Sequence, residues 1–121
     1  MRITSVAVLS AALWISGCDQ GPIVVPSELR GTWRTSEPRY AYAFIRIGAA
    51  EVELGTGEPG PNRHAIVAIE NLVSSDRTLY TIDYRVGDQV QHLSLYYERR
   101  DGAALRLRNQ PSFAWRREAT P

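Results

Sequence analysis

The sequence predicts an all-β domain, an antiparallel up-and-down meander of about eight strands that closes as a small barrel. Apolar and polar residues alternate in several stretches, which is the pattern of strands with one buried face. No stretch places apolar residues at helical spacing over three turns. Short turns separate the alternating stretches, and a meander of this size can close on itself and so remove its exposed edges.

The first half of the domain contributes four predicted strands, at residues 31–35, 41–48, 51–55 and 64–72. The turn Gly48-Ala49-Ala50 leads into Glu51-Val52-Glu53-Leu54, which alternates strictly. The stretch from Gly55 to Arg63 holds three Gly and two Pro, a composition that excludes a central strand. This stretch is therefore predicted to be a loop at one end of the domain.

The second half contributes four more, at residues 78–86, 90–99, 103–109 and 113–118. Residues 79–86 alternate without a break, and Leu93, Leu95 and Tyr97 share one face of the next strand. Asp101-Gly102 is a strong hairpin signal, because Gly tolerates the positive φ that such turns require. The remaining predicted turns are Ser74-Ser75-Asp76, Gly87-Asp88-Gln89 and Asn109-Gln110-Pro111-Ser112.

Residues 1–17 have the layout of a signal peptide, with Arg2 ahead of an apolar run that is too short to span a bilayer. The run ends in Ile15-Ser16-Gly17-Cys18, which resembles the lipobox of bacterial lipoproteins. The resemblance implies cleavage before Cys18 and attachment of fatty acyl chains such as palmitate to its thiol. Two or three such chains make a stable anchor, whereas one holds only marginally. An ordinary secretory signal and a buried free cysteine are the alternatives.

In the Gram-negative lipoproteins that this segment resembles, an Asp after the cysteine favours the inner membrane over the outer one. Asp19 occupies that position. The expected location is thus the bacterial cell envelope, with the domain facing the periplasm. The predicted organisation is a signal peptide at 1–17, a flexible tether at 18–28, a barrel at 29–118 and a tail at 119–121.

Gly31-Thr32-Trp33 on the first strand, together with an arginine on the last, resembles the calycin pattern of lipocalins and related barrels. The resemblance implies that Trp33 packs across the closed end of the barrel and that Arg117 lies over it. Arg116 points outward by alternation. Residues 29–118 are fewer than in a typical lipocalin, so the interior is expected either to be filled by side chains or to hold a small ligand.

The composition offers little chemistry. The chain has 14 arginines, no lysine and 13 acidic residues, a near-neutral balance that disfavours nucleic acid or an anionic surface as the main partner. His64 and His92 show no metal-ligand spacing, and Glu51 and Glu53 are interpreted as a solvated strand face. The arginine-rich stretch 99–118 is either an outer face that pairs with acidic strands or a binding face. No cofactor, metal or enzyme activity is expected.

The predicted function is that of a non-enzymatic binding module, anchored to the lipid bilayer through Cys18, that engages a periplasmic protein or an envelope component. The alternative is a lipocalin-like carrier of a small apolar ligand. Tyr and Arg are favoured in binding hot spots. The candidate binding surface therefore comprises Tyr40, Tyr96, Arg99 and His64. Tyr40 shares a face with Tyr42 and Phe44 if the second strand extends back to them.

Overall fold

The computed structural model describes residues 23–57 and 62–119. Eight antiparallel strands form a closed barrel in sequence order, which confirms the predicted fold class. The strands are β1 (Gly31–Thr35), β2 (Phe44–Ile47), β3 (Glu51–Gly55), β4 (Arg63–Val73), β5 (Thr78–Val86), β6 (Gln89–Glu98), β7 (Ala104–Leu107) and β8 (Gln110–Arg117). The described residues also form two 3-10 turns, at Ser27–Leu29 and Pro38–Tyr40. Among the described residues, no helix is long and apolar enough to cross a membrane.

The strand boundaries of β1, β3 and β5 agree with the alternation of their residues, but two other predicted boundaries are displaced by three residues. The second strand begins at Phe44 and not at residue 41, because Pro38 starts a 3-10 turn that carries Tyr40. Tyr42 is 80% exposed and does not share a buried face with its neighbours. The predicted turn from Asn109 is also displaced, since Leu107 pairs with Gln110 and β8 already includes Pro111.

The barrel has two distinct ends. At one end β1, β3, β5 and β7 begin, and the 3-10 turn Ser27–Leu29 lies across it, so we call it the closed end. The opposite, distal end carries the β1–β2, β3–β4, β5–β6 and β7–β8 connections. Residues 58–61 of the β3–β4 loop lie outside the described residues. The interior is apolar, and its fully buried members include Trp33, Ile82, Leu95 and Leu105.

The chain ahead of β1 belongs to the barrel, which corrects the predicted tether at 18–28. Val25 and Leu29 have no exposed surface and join the core. The Arg30 Nε donates a hydrogen bond to the Val25 carbonyl at 3.1 Å. The physical reason is burial, because two aliphatic side chains leave water at the closed end. Residues 18–22 of the predicted tether lie outside the described residues.

Candidate functional site

The closed end is built around Trp33. Its indole Nε1 donates a hydrogen bond to the Leu29 carbonyl at 3.0 Å, and its ring is fully buried. The Arg117 guanidinium lies over the ring, 4.7 Å from its centroid. Gly31 has a φ of 134°, and a Cβ at this position would meet the Arg117 side chain at 3.2 Å. Glycine is therefore needed both for the backbone conformation and for the close approach of the arginine.

Glu28 connects three parts of the closed end. Its carboxylate accepts hydrogen bonds from the Tyr80 hydroxyl and, at 2.8 Å, from Arg99 Nη2. Its backbone carbonyl accepts a hydrogen bond from Arg117. Burial, followed by the hydrogen bond to Glu28, raises the pKa of Tyr80 from 10.0 to about 12. The same carboxylate raises the pKa of Arg99. These contacts hold the 3-10 turn against the barrel wall.

The distal end contains an aromatic cluster with one unpaired polar atom. Tyr40 lies over the barrel interior, with ring centroids 5.7 Å from Phe113 and 6.3 Å from Trp115. Gln110 donates a hydrogen bond to the Tyr40 hydroxyl at 3.1 Å. Trp115 is only 4% exposed, and within the part of the chain that the structure describes its Nε1 has no hydrogen-bond acceptor. A buried donor without an acceptor is uncommon, because the lost solvation is not replaced.

His64, which the sequence assigns to the candidate binding surface, also faces inward at the distal end. It pairs with the buried Val52, so both side chains lie on the inner face. Its ring is half-buried, 5.4 Å from the ring of Tyr84. Burial raises the pKa of Tyr84. Together these side chains add to the aromatic lining of this end.

The distal half of β6, residues 89–94, has an edge that no described strand covers. β6 pairs with β5 from Gln89 onward, whereas its pairing with β7 begins only at Leu95. The Ser94 carbonyl accepts a hydrogen bond from the Arg108 N–H at 3.0 Å, so the backbone groups of Ser94 point toward β7. Backbone groups alternate from side to side along a strand, and those of Val90 and His92 therefore point the same way. No described residue pairs with them on that side.

A groove of about 430 Å³ runs along this edge, between β6 and the β7–β8 turn. It is lined by His92, Leu93, Ser94, Arg108 and Asn109. A neighbouring strand in a sheet lies 4.7–4.9 Å from its partner, so a groove beside an unpaired edge is where an added strand would lie. We call this feature, residues 89–94 with its groove, the β6 edge.

At the closed end, β4 likewise extends beyond its pairing with a neighbouring strand, and we call such an extension an overhang. It pairs with β3 only over residues 63–65, while its pairing with β5 continues to Val73. A register shift between Ile66 and Ala68 separates the two parts of the strand. The two overhangs thus lie at opposite ends of the molecule.

The carboxylate and histidine side chains that could act in acid–base chemistry or bind a metal form ordinary surface contacts. Arg46 donates to Glu53 at 2.7 Å, and Arg63 lies 3.7 Å from Glu51, which supports a solvated strand face for these carboxylates. His92 Nδ1 lies 2.6 Å from Asp83 Oδ1 on the outer surface. Within residues 23–57 and 62–119, no three His, Cys, Asp or Glu side chains are grouped to hold a metal ion.

The structure does not bring the four residues of the predicted binding surface together. Tyr40 and His64 lie at the distal end, where both contribute to the aromatic lining. Arg99 lies at the closed end, bound to Glu28. Tyr96 is on the outer wall, where the Arg77 guanidinium lies 3.7 Å above its ring. Gly31, Trp33 and Arg117 are brought together, whereas Cys18 and Asp19 lie outside the described residues.

Sequence reasoning missed Glu28 and the β6 edge. Glu28 follows a proline in a stretch without periodicity, and nothing local distinguishes it from a linker glutamate. The β6 edge depends on how far each neighbouring strand extends, and alternation within a strand does not record this. The one available signal was length, since the predicted sixth strand, 90–99, is longer than the predicted seventh, 103–109; the structure makes this difference larger.

Comparison of the chain with protein-family models, curated proteins and solved structures finds no match.

Proposed function

We propose that this protein is a lipid-anchored component of the bacterial cell envelope and a non-enzymatic binding module. It takes up an extended segment of a partner protein as an additional strand on the β6 edge. The observation that carries this proposal is the backbone of Val90 and His92, which has no partner among the described residues and lies beside a groove of about 430 Å³. Addition of a strand to an exposed sheet edge is a general mode of peptide recognition, in which main-chain hydrogen bonds provide the affinity.

The composition and exposure of the β6 edge favour a binding role. Closed barrels leave few exposed edges, and proteins usually protect an exposed edge with charge, proline or a bulge. Residues 89–94 contain no charged residue other than a histidine and no proline, and Val90 is exposed. Arg108 and Asn109 form the opposite wall and offer donors to the carbonyl or carboxylate groups of a bound segment.

The proposed anchor is compatible with this arrangement. Ile23, the first described residue, follows Cys18 by five positions and leads into the closed end. An acylated Cys18 would therefore hold the closed end toward the bilayer. The β6 edge, at the distal end, would face the periplasm, where a protein partner can reach it.

The edge is tested with a pair of variants at Val90, assayed by crosslinking in cells from a photoreactive amino acid at Asn109. Val90→Pro removes the N–H that faces the groove and leaves the bonds to β5 in place, whereas Val90→Thr keeps that N–H. We expect a protein adduct in the parent and in Val90→Thr, and its loss in Val90→Pro. Equal adducts in both variants, or no adduct in the parent, would contradict the binding proposal.

The anchor is tested separately by fractionation. Cys18→Ser should move the protein from the membrane fraction to the soluble periplasmic fraction, because the acceptor of the acyl chains is lost. Mass measurement of the parent should show a chain that begins at Cys18 and carries acyl groups. Continued membrane association of Cys18→Ser would refute the anchor and leave the edge proposal open to its own test.

A second candidate function is the carriage of a small apolar ligand at the distal end. The unpaired Trp115 Nε1 favours it, since a ligand with a carbonyl or carboxylate oxygen could accept this hydrogen bond among the rings of Tyr40 and Phe113. Titration with a fatty acid such as laurate should then change the emission of Trp115 in a saturable way. Trp115→Phe should abolish the change, and a flat titration would exclude laurate-like ligands.

A further inference from the structure

The closed end carries an exposed apolar tip. Leu72 and Val73 are the last two residues of β4, directly before the β4–β5 turn, and they are 67% and 71% exposed. Val24, which precedes the 3-10 turn across the same end, is 73% exposed. Leu72 and Val73 point to opposite faces of β4, so the tip is apolar on both sides. Exposed aliphatic side chains at one end of a small domain mark an interaction surface.

Arginines surround this tip. Arg77 and Arg99 line a hollow of about 150 Å³ together with Val73, Tyr97 and residues 74–76, which include Asp76 and two serine hydroxyls. The Arg77 guanidinium lies 3.7 Å from the centroid of the Tyr96 ring and 3.9 Å from the Glu98 carboxylate, while Arg99 pairs with Glu28 and keeps an exposed side chain. Arg30 and Arg100 are also exposed at this end. Guanidinium groups bind phosphate oxygens in a bidentate manner, and apolar side chains ringed by arginine are typical of surfaces at the membrane interface.

From these features we infer that the closed end lies on the bilayer, with Leu72 and Val73 in the interfacial region and the surrounding arginines at the lipid phosphates. This inference rests on the proposed anchor at Cys18. Residues 18–22 span at most about 18 Å when fully extended, so the anchor keeps this end close to the headgroups. The free β4 edge then lies beside hydrated headgroups, and the β6 edge remains the accessible one.

The membrane is the occupant that these observations favour over a second copy of the chain. A two-fold pairing of β4 edges centred on Glu70 would place the two Glu70 carboxylates directly opposite each other, which is unfavourable. A bilayer, by contrast, offers both an apolar layer for the tip and anionic phosphates for the arginines.

The inference is tested by quenching of an added tryptophan with brominated lipids. The protein carrying Leu72→Trp is compared with a matched variant, Val90→Trp, at the distal end; both parent side chains are exposed. Each variant is bound to vesicles of brominated phosphatidylcholine and phosphatidylglycerol in two forms. One form is the protein acylated in cells, and the other is the chain from Cys18 coupled through its thiol to a maleimide lipid. The chain from Cys18 contains every residue of the barrel that the structure describes.

In both forms we expect a loss of the added emission for Leu72→Trp and none for Val90→Trp, after subtraction of the emission of the parent, whose Trp33 and Trp115 are buried. Equal quenching of the two variants, or quenching of neither, would overturn the inference, including the case in which a second copy covers the tip. Flotation of the cell-derived parent with the vesicles reports the natural anchor on its own. A parent that does not float, combined with quenched Leu72→Trp in the coupled form, would refute the anchor and support the surface.

Discussion

Removal of the Trp33 side chain is the perturbation whose effect the structure bounds most tightly. The ring is fully buried, donates to the Leu29 carbonyl and lies beneath Arg117. A buried Trp→Ala change costs about 3–5 kcal/mol. The lost hydrogen bond leaves a buried carbonyl unsatisfied, at about 1–3 kcal/mol, and the loss of the cation–π contact adds about 0.5–2 kcal/mol. Because these contributions overlap, we expect Trp33→Ala to lower the free energy of unfolding by about 4–6 kcal/mol.

The assay is equilibrium unfolding in urea, followed by circular dichroism and by the emission of Trp115. The matched control is Arg34→Ala, the next residue of β1, which points outward and forms an exposed ion pair with Glu118. Such a pair contributes less than about 1 kcal/mol. If Trp33→Ala does not fold, Trp33→Phe should still cost about 1–3 kcal/mol through the lost indole hydrogen bond. A cost below about 1 kcal/mol for Trp33→Ala would refute the closure of the barrel by Trp33 and Arg117.

Three further predictions concern stability. The raised pKa of Tyr80 favours the folded state while the phenol is protonated, so this stabilisation is complete below pH 10 and is lost between pH 10 and 12. Urea unfolding across that window should show a loss of stability that Tyr80→Phe does not share. Gly31→Ala should cost about 1–3 kcal/mol in the same assay, since φ is positive and Arg117 lies against the new Cβ; an unchanged midpoint would contradict this. Gly55→Ala should also destabilise, because its Cβ would overlap the Phe44 ring, and Phe44→Ala should relieve that clash in a double variant.

The strand pattern of the sequence determined most of the fold. In β5, alternation continues from Leu79 to Val86 and its limits were predicted correctly, because period two is imposed by the barrel wall on every residue. The start of β2 was predicted wrongly. Tyr40 and Tyr42 continue the aromatic alternation of Phe44, but Pro38 fixes a 3-10 turn and the tertiary packing of Tyr40 on Phe113 stabilises it.

The candidate site was much less accessible to sequence analysis. Arg117 could be assigned to the inner face from its spacing to Trp115, and the structure places its guanidinium over Trp33. The β6 edge could not be found in this way, since it arises from the difference in length between β6 and β7. The burial of Val25 depends on the shape of the closed end, which a short segment containing prolines does not encode locally.

The two proposed functions lie at opposite ends of the barrel: membrane contact at the closed end and partner binding at the distal end. Apolar and arginine side chains at the closed end suit a bilayer, and the described chain enters the barrel at the same end. The β6 edge lies at the other end, where the backbone groups of Val90 and His92 that face the groove have no partner among the described residues. A small barrel oriented in this way would present one open strand to the periplasm at a fixed distance from the membrane.

Amide hydrogen exchange at three consecutive residues of β6 tests the central claim most directly. The N–H groups of Val90 and His92 face the groove, whereas that of Gln91 faces β5. In the purified protein the account predicts fast exchange at Val90 and His92 and slow exchange at Gln91, and it predicts that the partner captured from Asn109 slows the first two. Protection of Val90 and His92 in the protein alone, or unchanged exchange when that partner is bound, would contradict it.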